Sequence, residues 1–153
     1  MPGTLLADAA DTQEFQAFTV DGWLVSLEQG DTYGTCLLSS AVQPPYVSVI
    51  YEGADDFFLM VRGSDKNPKE HDVGIQLIFE GGKEFSLIGT SSGHDSYTAS
   101  LPTDEVERFL AALEGSEHVV MTTGADRPSE EYSLSGGEGA TEAFAACAQH
   151  LDG

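Results

Sequence analysis

The chain has 153 residues, 41% of them hydrophobic, with 8 Phe, 5 Tyr and a single Trp; this suits one domain with a sizeable core and excludes an intrinsically disordered chain. Against 26 acidic residues stand only 6 basic ones, a formal net charge of −20. Nucleic acid is thereby excluded as a ligand class, since a phosphate backbone is held by a Lys/Arg face, and anionic membrane surfaces are disfavoured on the same ground.

Residues 1–13, MPGTLLADAADTQ, show no sustained period and read as a flexible N-terminal arm ahead of a single β-rich domain, 14–153. The arm lacks the basic and apolar regions of a signal peptide. Two readings stay open: a cytoplasmic chain, or the mature end of an exported one. No apolar run approaches the roughly 18–20 residues of a membrane-spanning helix.

From Phe15 the pattern becomes short alternating segments separated by turn residues. Strands are expected at 15–20, 23–28, 33–38, 46–52, 57–62, 73–79, 84–89 and 95–101. Asp21-Gly22, Gly30-Asp31, Pro44-Pro45, Gly53 to Asp56, Asn67-Pro68, Gly81-Gly82 and Gly93 supply the turns between them. Connections this short imply antiparallel pairing. The clearest hairpin joins 73–79 to 84–89 through Glu80-Gly81-Gly82-Lys83.

After Pro102 the period turns helical. Thr103 is the expected N-cap, Asp104 and Glu105 suit the positive end of the helix, and Val106, Phe109, Leu110 and Leu113 form one apolar face closed by Gly115. Strands at 118–123 and 130–134 follow, and a helix from about 137 to 151 ends the chain. The fold class is therefore α+β and β-rich: an antiparallel sheet or sandwich with two short helices, the second at the C-terminus.

The stretch YSLSGGEGATEAFAAC (132–147) carries the most suggestive glycines. Ser135 and Glu138 match a capping box, which would use the same N–H groups that a phosphate cradle needs free. A P-loop lysine is missing, Glu138 and Glu142 would repel an anion, and no G-x-S-x-G surrounds Ser135. Along this helix Ala140, Phe144, Cys147 and Leu151 share one face, so the thiol is apolar-facing. Cys36 is the only other cysteine. A Cys36–Cys147 disulfide and two free thiols remain open alternatives.

His71, His94, His118 and His150 show no metal-ligand spacing, and neither the Asp55-Asp56 turn nor the Asp126 turn matches a calcium loop. His94 and Asp95, beside Ser91-Ser92, would point to opposite faces of a strand and so make no triad. The expectation is no catalytic residue, no metal and no cofactor. Binding candidates are instead aromatics beside acidic turns: Tyr46, Tyr51, Asp55, Asp56, Phe57 and Tyr97.

Three segments together, DGWLVSL (21–27), YGTCLLSS (33–40) and YSLSGGEGATEAFAACAQHL (132–151), resemble small exported alphaproteobacterial proteins of the invasion-associated locus B type. The resemblance implies a β-sandwich-like, non-enzymatic periplasmic or surface protein, and carries over no functional residue. The resulting expectation is a non-enzymatic binding or protein-interaction module, periplasmic or secreted. It would act through loops and an acidic surface on a protein partner, and a basic partner fits the charge. An intracellular acidic inhibitor or immunity-type protein that blocks a basic or nucleic-acid-binding partner is the alternative. An unrecognised hydrolase is the third.

Overall fold

A computed structural model of the chain describes residues 14–30, 34–43, 45–53, 56–62, 72–91, 96–123, 129–134 and 137–152. Ten strands appear: β1 (Glu14–Val20), β2 (Trp23–Gln29), β3 (Gly34–Ser39), β4 (Tyr46–Tyr51), β5 (Phe57–Arg62), β6 (Asp72–Phe79), β7 (Glu84–Ser91), β8 (Ser96–Leu101), β9 (His118–Thr123) and β10 (Glu130–Ser133). Helix α1 (Thr103–Gly115) joins β8 to β9, and helix α2 (Gly137–Asp152) follows β10. The proposed N-terminal arm, 1–13, lies outside the described residues.

All ten strands belong to one antiparallel sheet, in the spatial order β10, β9, β6, β7, β8, β5, β4, β3, β2, β1. Of the two expected architectures, sheet or sandwich, the first is observed. The sheet is far from flat. Its β10 edge comes back into contact with β4, although five strands lie between them in hydrogen-bonding order. Right-handed twist accumulated over many strands makes such a curl the natural way to bury one face.

Residue parity decides which face is buried, because successive side chains on a strand alternate. Val25, Leu38, Val49, Leu59 and Ala99 are directly opposed across β2, β3, β4, β5 and β8, and all five are buried. Phe79, Val119 and Tyr132 continue the same face across β6, β9 and β10. Both helices pack on this inner side. The opposite side carries Ser26, Gln76, Ser86, Thr98 and Ser100 among half-exposed apolar residues, with Ile88 exposed on β7.

The hairpin from β6 to β7 forms where expected. A single 3-10 turn, Glu80–Gly82, links the strands, and the Phe79 N–H donates to the Lys83 carbonyl at 2.8 Å. Gly81 and Gly82 both sit at positive φ, 81° and 85°, where an L side chain would meet its own backbone.

Helix α1 starts one residue differently from expectation. Thr103 is already helical, and Pro102 occupies the N-cap with φ −57° and ψ 138°, without a side-chain cap. The proline ring presets φ, and the Pro102 carbonyl accepts the Glu105 N–H at 2.9 Å, so the chain enters the helix without a Thr103 cap. The helix then buries Val106, Phe109, Ala112 and Leu113. Phe109, fully buried, meets Phe85 at 4.9 Å and Phe79 at 5.6 Å in edge-to-face geometry. Arg108 lies 4.0 Å above the Phe85 ring and pairs with Glu105 at 2.6 Å, roofing the cluster with a cation.

Candidate functional site

Helix α2 follows β10 and lies on the inner face against β1, β2 and β3, where it is fastened at several points. Ala140 and Phe144 are fully buried, and Cys147 and Leu151 are half-buried against the core, so the apolar stripe read from the sequence is the face that docks. Close approach begins at Gly137, where an added Cβ would lie 2.9 Å from the Trp23 ring and 3.2 Å from the Leu113 carbonyl oxygen. Only glycine allows the helix to start against that ring. The Thr141 hydroxyl donates to the Glu114 carboxylate of α1, with the Glu138 carbonyl 2.9 Å away. Near the other end, His150 Nε2 lies 3.2 Å from Gln29 Oε1 of β2.

The covalent fastening is a disulfide. Cys36 of β3 and Cys147 of α2 are bonded, with their Cα atoms 6.1 Å apart and a sequence separation of 111. Of the two alternatives left open by the sequence, the bonded one is observed. The sulfur bridge closes almost the whole domain into one loop and pins the helix to the middle of the β1 to β4 segment.

Beside this bridge, among the described residues, β1 is the last strand of the sheet. Among the described residues only β2 pairs with β1, and Gln16, Ala17, Phe18 and Thr19 are all exposed. Phe18 points to the helix side, because its partner Val25 is an inner-face residue, yet it keeps 48% of its surface in solvent. Helix α2 covers β2 and β3 but stops short of roofing β1. The result is a groove of about 250 Å³ whose lining includes Phe18, Val25, Leu27, Ala143, Ala146 and Cys147. The segments framing it, 14–29 and 137–152, contain Glu14, Asp21, Glu28, Glu138, Glu142 and Asp152 and no Lys or Arg. Asp21, Glu138 and Glu142 are exposed.

The binding candidates read from the sequence do not assemble into a surface. Tyr51 is 1% exposed and Tyr97 3% exposed, so both are core residues. Phe57 packs against the core as well, 4.4 Å from Tyr51 and 6.5 Å from Phe144 between ring centres. The cause is parity: Tyr51, Phe57 and Leu101 oppose one another on the inner face, and Val61 opposes Tyr97 there. Tyr46 is half-buried at the start of β4, opposite Arg62. Asp56 is exposed in the β4 to β5 turn, where its N–H donates to the Gly53 carbonyl at 3.0 Å. Asp55 lies outside the described residues, as do Ser135 of the capping box, His71, His94 and the Asp126 turn.

One acidic side chain has a structural task that the sequence does not announce. Glu80, in the turn after β6, accepts hydrogen bonds from the backbone N–H groups of Glu117 and His118, the latter at 3.3 Å. The Glu117 N–H, foremost, holds the Glu80 carboxyl below its ordinary value of 4.5; desolvation opposes it, and the His118 N–H and the His118 charge lower it further by less. Its partners lie 37 and 38 residues away, which is why local sequence gave no sign of it. A lowered folded-state pKa contributes stability above the unfolded value and loses it as pH falls through the folded value. Glu80→Gln is accordingly expected to unfold at lower urea than wild type near neutral pH. The gap between the two should close as pH falls below the ordinary glutamate range. A gap that stays constant with pH would show that the carboxylate charge is not what holds the turn.

Among the described residues no group of three His, Cys, Asp or Glu side chains gathers as a metal ion would require, and no helix there is long and apolar enough to cross a membrane. No protein-family model, curated protein or solved structure matches the chain.

Proposed function

We propose that the protein is a non-enzymatic interaction module working in an oxidising compartment, periplasmic or secreted, where it holds a basic protein partner against its acidic surface. The observation that carries this reading is the Cys36–Cys147 bond. Structural disulfides persist where thiols are not kept reduced, and this one fixes helix α2 to β3. The reading agrees with what the resemblance to invasion-associated locus B type proteins implies. The same bond weighs against the intracellular inhibitor, which shares the acidic surface and a basic partner but would work among reduced thiols.

Charge supplies the partner's chemistry. A chain with 26 acidic and 6 basic residues steers a cationic protein towards it and repels another acidic one, and this attraction weakens as salt rises. Immobilised protein exposed to extract from its own cells, then eluted with rising salt, should release a saturable partner of basic isoelectric point that rebinds after purification. Absence of any saturable partner, or a complex indifferent to salt, contradicts the reading.

A further inference from the structure

We infer that the Cys36–Cys147 bond is an exchangeable link: in the folded protein a thiolate from a dithiol reductant enters the groove beside α2, attacks Cys147, and frees the end of the helix while the sheet stays folded. The inference goes beyond the interaction-module reading, and either can fail without the other.

The two sulfurs have different surroundings. Cys36 sits in the middle of β3, opposite Leu27 of β2 and Tyr51 of β4, and is 0% exposed. Cys147 is half-buried on α2 and lines the groove of about 250 Å³. Exchange requires a thiolate to meet one of the two sulfurs directly, so access decides which one reacts. The groove gives that access on the Cys147 side. Its helix wall is low, since Ala143 and Ala146 carry only methyl groups there, and a slender thiol passes where a bulky side chain would not. The residues lining it include no Asp or Glu, so an entering thiolate meets no carboxylate at contact range, although the chain as a whole carries −20.

The entering thiolate forms a bond to Cys147 Sγ as the bond to Cys36 breaks; Cys36 leaves with the electron pair and takes up a proton. The reductant's second thiolate then attacks the reductant sulfur of this mixed disulfide, and Cys147 leaves as a thiolate and is protonated in turn. Two electrons and two protons thus pass to the protein, and the dithiol ends as a disulfide.

The remaining fastenings of α2 are unequal on the two sides of Cys147. Before it, Gly137 is seated against Trp23, Ala140 and Phe144 are 0% exposed, and Thr141 holds Glu114. After it there remain the exposed contact of His150 with Gln29 and the packing of Leu151 over Gly34, where an added Cβ would lie 2.6 Å from a Leu151 methyl. An exposed hydrogen bond adds little. Opening the bond therefore loosens the last turn of α2 and leaves the first turns docked. An oxidising compartment keeps the link closed, and a dithiol reductant releases it.

The test uses the whole oxidised protein and dithiothreitol in native buffer, quenched by alkylation and followed by intact mass spectrometry. The expected rate is proportional to reductant concentration and unchanged by urea well below the unfolding midpoint. A rate that levels off at the rate of unfolding, or climbs with urea as the unfolded population does, overturns the inference, because the bond would then be met only in opened chains. Ala146→Phe fills the groove from an exposed helix position and is expected to slow reduction about tenfold or more at an unchanged urea midpoint. An unslowed rate in the folded variant overturns the route. Should that variant not fold, wild type decides: brief exposure to glutathione, acid quenching and peptide mapping should place the adduct on Cys147, and an adduct on Cys36 overturns the inference. After reduction, amide chemical shifts should move in residues 147–152 and in β2 and β3, while α1, β6 and β7 keep theirs; loss of dispersion throughout the spectrum overturns the claim that the sheet stays folded. The salt-sensitive partner test, on which the interaction-module reading stands, is untouched by any of these results.

Discussion

Replacing Cys36 and Cys147 together by alanine is expected to lower the free energy of unfolding by about 2–5 kcal/mol. The bond spans 111 residues of sequence, and a constraint on so long a loop removes much of the unfolded chain's freedom. It also joins α2 to β3 on the inner face. Without it, the helix is held by its apolar stripe, by the Thr141 contact with Glu114 and by His150 against Gln29. Urea unfolding of wild type with and without reductant, beside the double variant, checks this. Reduced wild type and the double variant should share one lower midpoint. Coinciding midpoints for oxidised and reduced protein would mean that the bond adds nothing to the fold.

Phe109→Ala should cost about 3–5 kcal/mol, comparable with the loss of the disulfide. The side chain is fully buried and edge-on to both Phe79 and Phe85. Truncation therefore forfeits its transfer from water, leaves a cavity and removes two favourable aromatic contacts. The surroundings offer little room to collapse, because Phe79 and Phe85 are fixed on adjacent strands by the β6 to β7 hairpin. Phe109→Leu, which keeps most of the volume, should lose markedly less. A Phe109→Ala variant with a near-wild-type midpoint would show that α1 is not docked through this cluster.

Much of the fold was legible because its signals are local. Alternation of apolar and polar residues marked all ten strands, and Gly81-Gly82 marked the clearest hairpin. The change of period after Pro102 marked α1. The apolar spacing of Ala140, Phe144, Cys147 and Leu151 gave the docking face of α2, and with it the direction in which the cysteine points. Parity could have gone further: once β4 and β5 are paired through their short turn, Tyr51 and Phe57 must share a face with Val49 and Leu59, which places them in the core.

What was not legible depends on long-range geometry. The docking of α2 on β1, β2 and β3, the contact of β10 with β4, and the reach of Glu80 to Glu117 and His118 join residues far apart in the chain. No local pattern encodes them. The groove was missed for the same reason. Phe18 reads as an ordinary inward-facing strand residue, and only the packing of α2 shows that it keeps 48% of its surface exposed. The exposed aromatic, Phe18, thus lies on β1, away from the acidic turns where Tyr51, Phe57 and Tyr97 had suggested a surface.

The most direct test is a thiol count on protein taken from its native cells, alkylated before and after reduction and read by mass spectrometry. A working module held by Cys36–Cys147 in an oxidising compartment predicts no alkylation of either cysteine until reductant is added. Two thiols alkylated without reductant would contradict it, and would return the protein to a reducing compartment and to the intracellular inhibitor reading.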